Sequence, residues 1–432
     1  MKKKIFFLLF LVISLQISAQ TLTKAEKTEI LGKLIKKIEN IYPFPAVSEK
    51  IVAGLETQVS NGYYDSVNSP VEFATRLSSS LENLSKDKHL ELNCNPDLAK
   101  ALLEESSDDS DFTEEEAKTE IWNNYGFREL KILDGNIGYL NLSVFFATDY
   151  AGKIADISMA YFSNCQALII DLRENGGGWG DMVDYLLGYL IDNKEPLVLN
   201  IAESTLDSTV YSEVVSAYVP GAKLVNIPIY ILTSQSTASA AEAFTTHLKY
   251  FNNNTTIVGK KTCGAENPVE HIAIDENFVL QIPAWKKIYS KNPVVWEGVG
   301  VTPDIEAEPD DALLTAYKDA LQKLMKSTDE QLAIDKYQWA LDGISASYNN
   351  VDVNKIKEYA GQYGNIQIKY VDEKLFYQPE NGSSNQLIPI SDNYFVVEGI
   401  SYFRIKFINN GKTTLMKKIF TFGLEREYNK NK

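Results

Sequence analysis

Ala167-Leu-Ile-Ile-Asp-Leu-Arg-Glu-Asn-Gly-Gly-Gly-Trp-Gly-Asp181 is the stretch on which the fold reading turns. It is a short apolar run, then a glycine-rich turn, then a helix expected from about Asp181 to Ile191, which is the β-turn-α sequence of an α/β domain. A turn of this kind can aim backbone N–H groups at an anion. The dinucleotide fingerprint G-x-G-x-x-G is excluded, because counting from Gly176 and Gly178 the third glycine position holds Asp181. Two readings stay open at this point: an oxyanion hole, or a glycine loop chosen only for its tight geometry.

A second strand-turn-helix follows in Pro228-Ile-Tyr-Ile-Leu-Thr-Ser-Gln-Ser-Thr-Ala-Ser-Ala-Ala-Glu-Ala-Phe244. Ser239 falls near the helix start, inside the positive end of the helix dipole, and the next N–H, on Ala240, has no intrahelical acceptor and can stabilise an oxyanion. A serine there also reads as an ordinary N-cap. The esterase elbow G-x-S-x-G is absent around Ser239, and Gly259-Lys-Lys-Thr262 lacks the glycine of a phosphate loop, since Asn254 stands five residues earlier.

Working outward, 432 residues give a prior of about two or three domains. With 44% apolar and 23% charged residues the composition is globular, and it excludes collagenous or wholly disordered classes. A net charge of -16 disfavours nucleic acid as a partner, because phosphates approach against the field. Lys2, Lys3 and Lys4, the apolar run Ile5–Leu15 and Ile17-Ser-Ala19 form a secretory leader, residues 1–19, cleaved after Ala19. Losing those three lysines takes the charge from -16 to -19. The apolar run is too short for a membrane span, and none follows it, so the expected location is periplasmic or secreted. Cys94, Cys165 and Cys263 allow one bridge at most, and His89, His247 and His271 form no HExxH or HxH pattern, so neither a metal nor another cofactor is expected.

Residues 20–104 read as a helical lobe, with Ile30, Leu34, Ile35 and Ile38, then Val47, Ile51, Val52 and Leu55, at helical spacing. Residues 105–125 form an acidic linker, Glu or Asp occupying eight positions between Glu104 and Glu116. The α/β domain takes 126–310, and a helical connector takes 311–350 with Asp311 as the expected N-cap. Alternating apolar and polar runs over 351–432 form a small antiparallel β domain. There Phe376, Tyr377, Tyr394, Phe395, Tyr402 and Phe403 are read as core rather than a binding face.

Four blocks, Asp171-Leu-Arg-Glu-Asn-Gly-Gly-Gly178, Thr237-Ala-Ser-Ala-Ala-Glu242, Ile257-Val-Gly-Lys-Lys-Thr-Cys-Gly264 and Trp296-Glu-Gly-Val-Gly-Val-Thr-Pro-Asp-Ile305, resemble in order those of the C-terminal processing (tail-specific) serine proteases. The resemblance covers about Ile137 to Ile305 and implies a crotonase-like or Clp-protease-like α/β core acting on a peptide or protein substrate. It implies Ser239 as nucleophile, with oxyanion donors on Ala240 and in the Gly176-Gly177 turn. The family's dyad lysine would directly follow Gly264, where this chain has Ala265, and Lys260 and Lys261 match the block's ordinary surface lysines. The chain therefore resembles the branch of the tricorn core and the interphotoreceptor retinoid-binding protein, which implies His89, in Leu84-Ser-Lys-Asp-Lys-His-Leu-Glu-Leu92, as general base and Glu297 as a further member. In that branch the glutamate faces the serine through another side chain, and a hydroxyl residue precedes the histidine where Lys88 stands here. No stretch is long enough for the PDZ domain of the other branch. The alternative within the same fold is an inactive binding protein for peptides or apolar ligands.

Overall fold

The computed structural model describes residues 21–104, 118–409, 411, 413–421 and 423–431. The expected leader and residues 105–117 of the expected linker lie outside the described residues. The chain divides into two compact units, the first from residues up to Thr113 with Val198–Glu213 and Gly264–Val299, the second from Glu114–Leu197, Val214–Cys263 and Gly300–Lys432.

The first unit opens with three helices, Lys24–Ile41, Pro45–Ser60 and Pro70–Ser85. Thr23 and Glu26 form a reciprocal cap on the first, which satisfies two N–H groups the helix cannot bond itself. Leu34, Ile38, Ile51, Leu55, Phe73 and Leu77 are fully buried at the expected helical spacings. The third helix ends at Lys86 in the left-handed region, and the short turn after it leads through His89 into the strand Glu91–Cys94. That strand pairs antiparallel with Phe278–Pro283, Leu92 opposite Leu280, and Phe278–Pro283 pairs in turn with Val269–Ala273. Sheet partners almost two hundred residues away thus draw Gly264–Val299 into the helical lobe, a grouping that chain order does not reveal.

The second unit is built on a six-stranded sheet in the spatial order Ile305–Glu306, Thr255–Gly259, Ile229–Thr233, Ala167–Asp171, Ile137–Leu142, Phe127–Leu133. All neighbours are parallel except the last pair. Every residue of Ala167–Asp171 and Ile229–Thr233 is buried, as expected where both faces of a parallel sheet are covered. Helices Thr148–Tyr161, Gly180–Leu190 and Ala240–Phe251 make the crossovers. The helix Pro309–Lys326 lays Ala312, Ala316 and Ala320 on the sheet, with Glu308 at its N-cap and Pro309 in the first turn rather than the expected Asp311 start. Proline's fixed φ and missing N–H suit that first turn. Because Ala167–Asp171 and Ile229–Thr233 are parallel neighbours, the glycine turn and the Ser239 turn leave the same edge of the sheet side by side.

The C-terminal strands from Gly361–Tyr363 to Glu425–Asn429 form an eight-stranded antiparallel meander paired in sequence order. Tyr377, Phe395 and Phe403 are in its core, while Tyr402 is 56% exposed. Arg404, only 3% exposed, joins this sheet to the helix Gln331–Ser345. Its guanidinium lies 3.8 Å from the centre of the Trp339 ring, donates to the Trp339 carbonyl and pairs with Asp342 at 3.5 Å. Arg404→Met keeps the volume and removes the charge. The expected loss is about 2–3 kcal/mol, checked by urea unfolding followed through tryptophan fluorescence.

Candidate active site

In the second unit Ser239 precedes the helix Ala240–Phe251 with φ 52° and ψ -120°. A non-glycine residue pays for that backbone in steric strain, so the surroundings must hold it. Glu242, fully buried, reaches back to accept the Ser239 N–H at 3.0 Å. The Thr262 hydroxyl donates to the other oxygen of that carboxylate and accepts Val301 N–H at 2.6 Å. Thr237 fastens the turn from below, its hydroxyl donating to Leu172 O at 2.7 Å and accepting Ser234 N–H at 2.9 Å.

Asn175 ties the two turns together. Its carbonyl accepts Ala238 N–H at 3.1 Å, its Nδ2 donates to Leu142 O at 2.9 Å, and its Oδ1 accepts Gly177 N–H at 2.8 Å. Gly177 has φ +116°, and a Cβ added to it would stand 2.7 Å from Ser239 Cβ and 3.2 Å from Ala240 N. The glycine is therefore required twice, by its backbone and by the approach of the serine. Gly176 is exposed, its φ is not positive, and a Cβ there would meet nothing within 4 Å. Ala240 is the first helical residue, so its N–H has no partner within the helix. The two predicted glycines thus differ: the Gly177 N–H is committed to Asn175, while the Gly176 N–H has no acceptor among the described residues.

In the first unit the structure brings His89 and Glu297 together with Asp87. One ring nitrogen of His89 and one carboxylate oxygen from each acid lie within 4.8 Å of one another. Asp87 is buried; its Oδ1 accepts the His89 backbone N–H at 2.9 Å, and its Oδ2 accepts the Tyr42 hydroxyl at 2.9 Å and Asn267 Nδ2 at 3.3 Å. Glu297 Oε2 accepts the N–H groups of Glu266 and Asn267 at 2.7 and 3.2 Å and Asn267 Nδ2 at 3.1 Å. Glu266 returns the arrangement by accepting Trp296 and Glu297 N–H at 2.9 and 3.1 Å, while pairing with Lys287 at 2.5 Å. Two loops distant in sequence are thereby locked by each other's carboxylates. His89 Nδ1 and Glu297 Oε1 are shielded from solvent and have no partner.

Burial lowers the His89 pKa from its ordinary 6.5, against the pull of Asp87, which favours a neutral imidazole able to accept a proton. Burial and the neighbouring Asp87 charge push Glu297 up to about 7, opposed by the two backbone N–H groups it accepts. Burial, then Asp87, also raises the Tyr42 hydroxyl, so it stays a donor.

The remaining candidates are elsewhere. Lys260 is held by Glu308 at 2.8 Å and Glu306 at 3.3 Å, whose hydrogen bonds raise its pKa and keep it charged. His247 is buried within the Ala240–Phe251 helix, and exposed His271 contacts Gln281 at 3.1 Å. No disulfide joins Cys94, Cys165 and Cys263. Asn175 and Glu242 lay in quoted blocks without an assigned role. Tyr42, Glu266 and Asn267 carried no local signal, because their partners come from separate parts of the chain.

Among known proteins, the peptidase family S41 model matches residues 136–307, and the model of the N-terminal domain of peptidase S41 in eukaryotic IRBP matches residues 19–124. A protein of Staphylococcus saprophyticus described as a CtpA-like serine protease is 25% identical over 175 residues, 40% of this chain and 34% of its own length. The chain thus spans about a third of the curated relative it matches. A Parabacteroides merdae structure solved as a candidate peptidase is 18% identical, with 70% of this chain and 99% of that one covered at a TM-score of 0.47. The photosystem II D1 C-terminal processing protease is 14% identical, with 67% and 94% covered at a TM-score of 0.40. Residues 136–307 thus carry a peptidase family S41 domain.

Proposed function

We propose that the protein is a secreted or periplasmic serine peptidase that hydrolyses peptide bonds through an acyl-enzyme on Ser239. The single observation that carries this reading is the Ser239 backbone at φ 52°. An ordinary N-cap serine is extended and gains nothing from strain, whereas a nucleophile on a sharp strand-to-helix turn is lifted clear of its neighbours. In the proposed reaction Ser239 Oγ attacks the substrate carbonyl as neutral His89 takes the hydroxyl proton. The negative charge formed on the carbonyl oxygen is stabilised by Ala240 N–H and the Gly176-Gly177 turn. His89 then protonates the leaving amine, and water, deprotonated by His89 in turn, releases the acid product and regenerates the serine. Because it converges with His89, Glu297 takes the role of stabilising the imidazolium formed in both steps, in place of the serine-facing role that the resemblance implies.

Ser239→Ala should lower peptide hydrolysis by roughly 10⁴-fold or more while leaving the thermal melt unchanged. His89→Gln should be comparably inactive, and Lys260→Ala and Lys261→Ala should each keep most of the activity. Turnover that survives in Ser239→Ala contradicts the nucleophile assignment. If the wild type instead binds peptides or apolar ligands without any hydrolysis, the binding-protein reading holds.

The glycines give a second comparison. Gly177→Ala should abolish turnover and lower thermal stability, because its Cβ collides with Ser239. Gly176→Ala should fold normally and keep most of its activity, since open space surrounds it. Assays and melts of the two variants side by side check this.

The pH profile of kcat/KM should rise to a plateau, because the base must be neutral and Glu297 ionised. In the wild type the later step, near pH 7, belongs to Glu297. Glu297→Gln should lower the plateau by about tenfold or more and move the rise below 6.5, where only the depressed His89 ionisation remains. An unshifted profile assigns the rise elsewhere.

A further inference from the structure

We propose that Asp87, His89 and Glu297 form a binding site for a divalent zinc-like cation, and that occupancy of this site switches the peptidase off. The inhibitory half rests on the proposed role of His89, whereas the binding half rests on the cluster alone. A ring nitrogen and two carboxylate oxygens converge within 4.8 Å of one another. Ligand atoms each about 2.1 Å from a zinc ion stand roughly 3–4 Å apart, so a small closure of the cluster brings all three into coordination. One imidazole and two carboxylates, with a fourth position left for water, are the ligand types of a borderline cation rather than of calcium, which prefers oxygen alone.

Two independent features point to a cation. His89 Nδ1 and Glu297 Oε1 are both buried and both without a hydrogen-bond partner, although an unpaired buried polar atom is costly and seldom kept. Among the described residues, moreover, neither Asp87 nor Glu297 has an ion-pair partner; the nearby Lys287 is taken by Glu266 at 2.5 Å. Two carboxylates in one small cluster with no cation between them repel each other, and a divalent ion relieves both.

The outer contacts suit the same purpose. Asp87 Oδ2 is oriented by the Tyr42 hydroxyl and by Asn267 Nδ2, and Glu297 Oε2 is fixed by three N–H donors, which leaves Oε1 as the open ligand. Carboxylates that bind metal are characteristically held this way by a second layer of donors. A cation bound here engages the His89 ring through one nitrogen and fixes the imidazole as a ligand, so it no longer accepts the Ser239 proton. No atom is exchanged and no redox change is needed; binding and release are reversible.

Co²⁺ titration of the full chain carrying Ser239→Ala, followed by visible d–d absorption, tests binding without any dependence on activity, and Zn²⁺ competition confirms the shared site. The expected result is one equivalent bound, with the same affinity in His271→Ala, and affinity at least about tenfold weaker in Glu297→Gln and in Asp87→Asn. Circular dichroism verifies that each variant is folded, and Glu297→Asp, which keeps the carboxylate, should recover part of the affinity if Glu297→Gln fails to fold. Absence of stoichiometric binding, or binding that survives in the folded Glu297 and Asp87 variants, overturns the site. If one equivalent of Zn²⁺ binds there and the wild type nevertheless hydrolyses peptides at its full rate, the switch and the base role of His89 are refuted while the metal site stands.

Discussion

A serine held at φ 52° against a glycine whose Cβ would collide with it is the constraint on which the proposed chemistry depends. The backbone of Ser239 is unfavourable by itself, and it persists because each flanking group is fixed by something buried: Glu242 on its N–H, Asn175 on Ala238, Thr237 beneath the turn. Gly177 then lets the neighbouring turn close to the serine Cβ, a place any side chain would fill. The parallel pairing of Ala167–Asp171 with Ile229–Thr233 makes this possible, since it sets the ends of both strands side by side.

The first unit meets a different requirement, the support of a titratable cluster on loops. Loops are weak scaffolds unless their backbone groups are tied. Here Glu266 and Glu297 each accept two backbone N–H groups of the other's segment, and Asn267 spans from Glu297 to Asp87. The same burial that positions these groups moves their ionisations in opposite directions, His89 downward and Glu297 upward. Those directions suit the roles proposed for the two groups, a neutral base and a carboxylate titrating near neutrality.

Much of this was legible from the chain before its structure. The βα units announced themselves through apolar runs that end in small-residue turns, and Ala167–Asp171, Ile229–Thr233 and the Gly180–Leu190 helix appear within two residues of where periodicity put them. Local capping refined what periodicity could not, as at Pro309, where ring geometry starts a helix earlier than the Asp311 signal suggested. Less legible was everything that depends on distant pairing. Gly264–Val299 joins the helical lobe because Glu91–Cys94 needs edge partners, and no local pattern encodes that choice. Tyr42, Glu266 and Asn267 carry no local signal in the sequence, because their partners come from separate segments of the first unit. The Gly176-Gly177 turn was recognisable as a unit, yet the unequal duties of its two glycines follow from the Asn175 side chain, which spacing alone does not orient.

Treating the intact protein with a fluorophosphonate and locating the adduct by peptide mass spectrometry asks whether Ser239 is an activated nucleophile. An activated Ser239 gives one phosphonyl group per chain, on the peptide containing Ser239, and none in Ser239→Ala. An unmodified wild type, or an adduct confined to another residue, would contradict it.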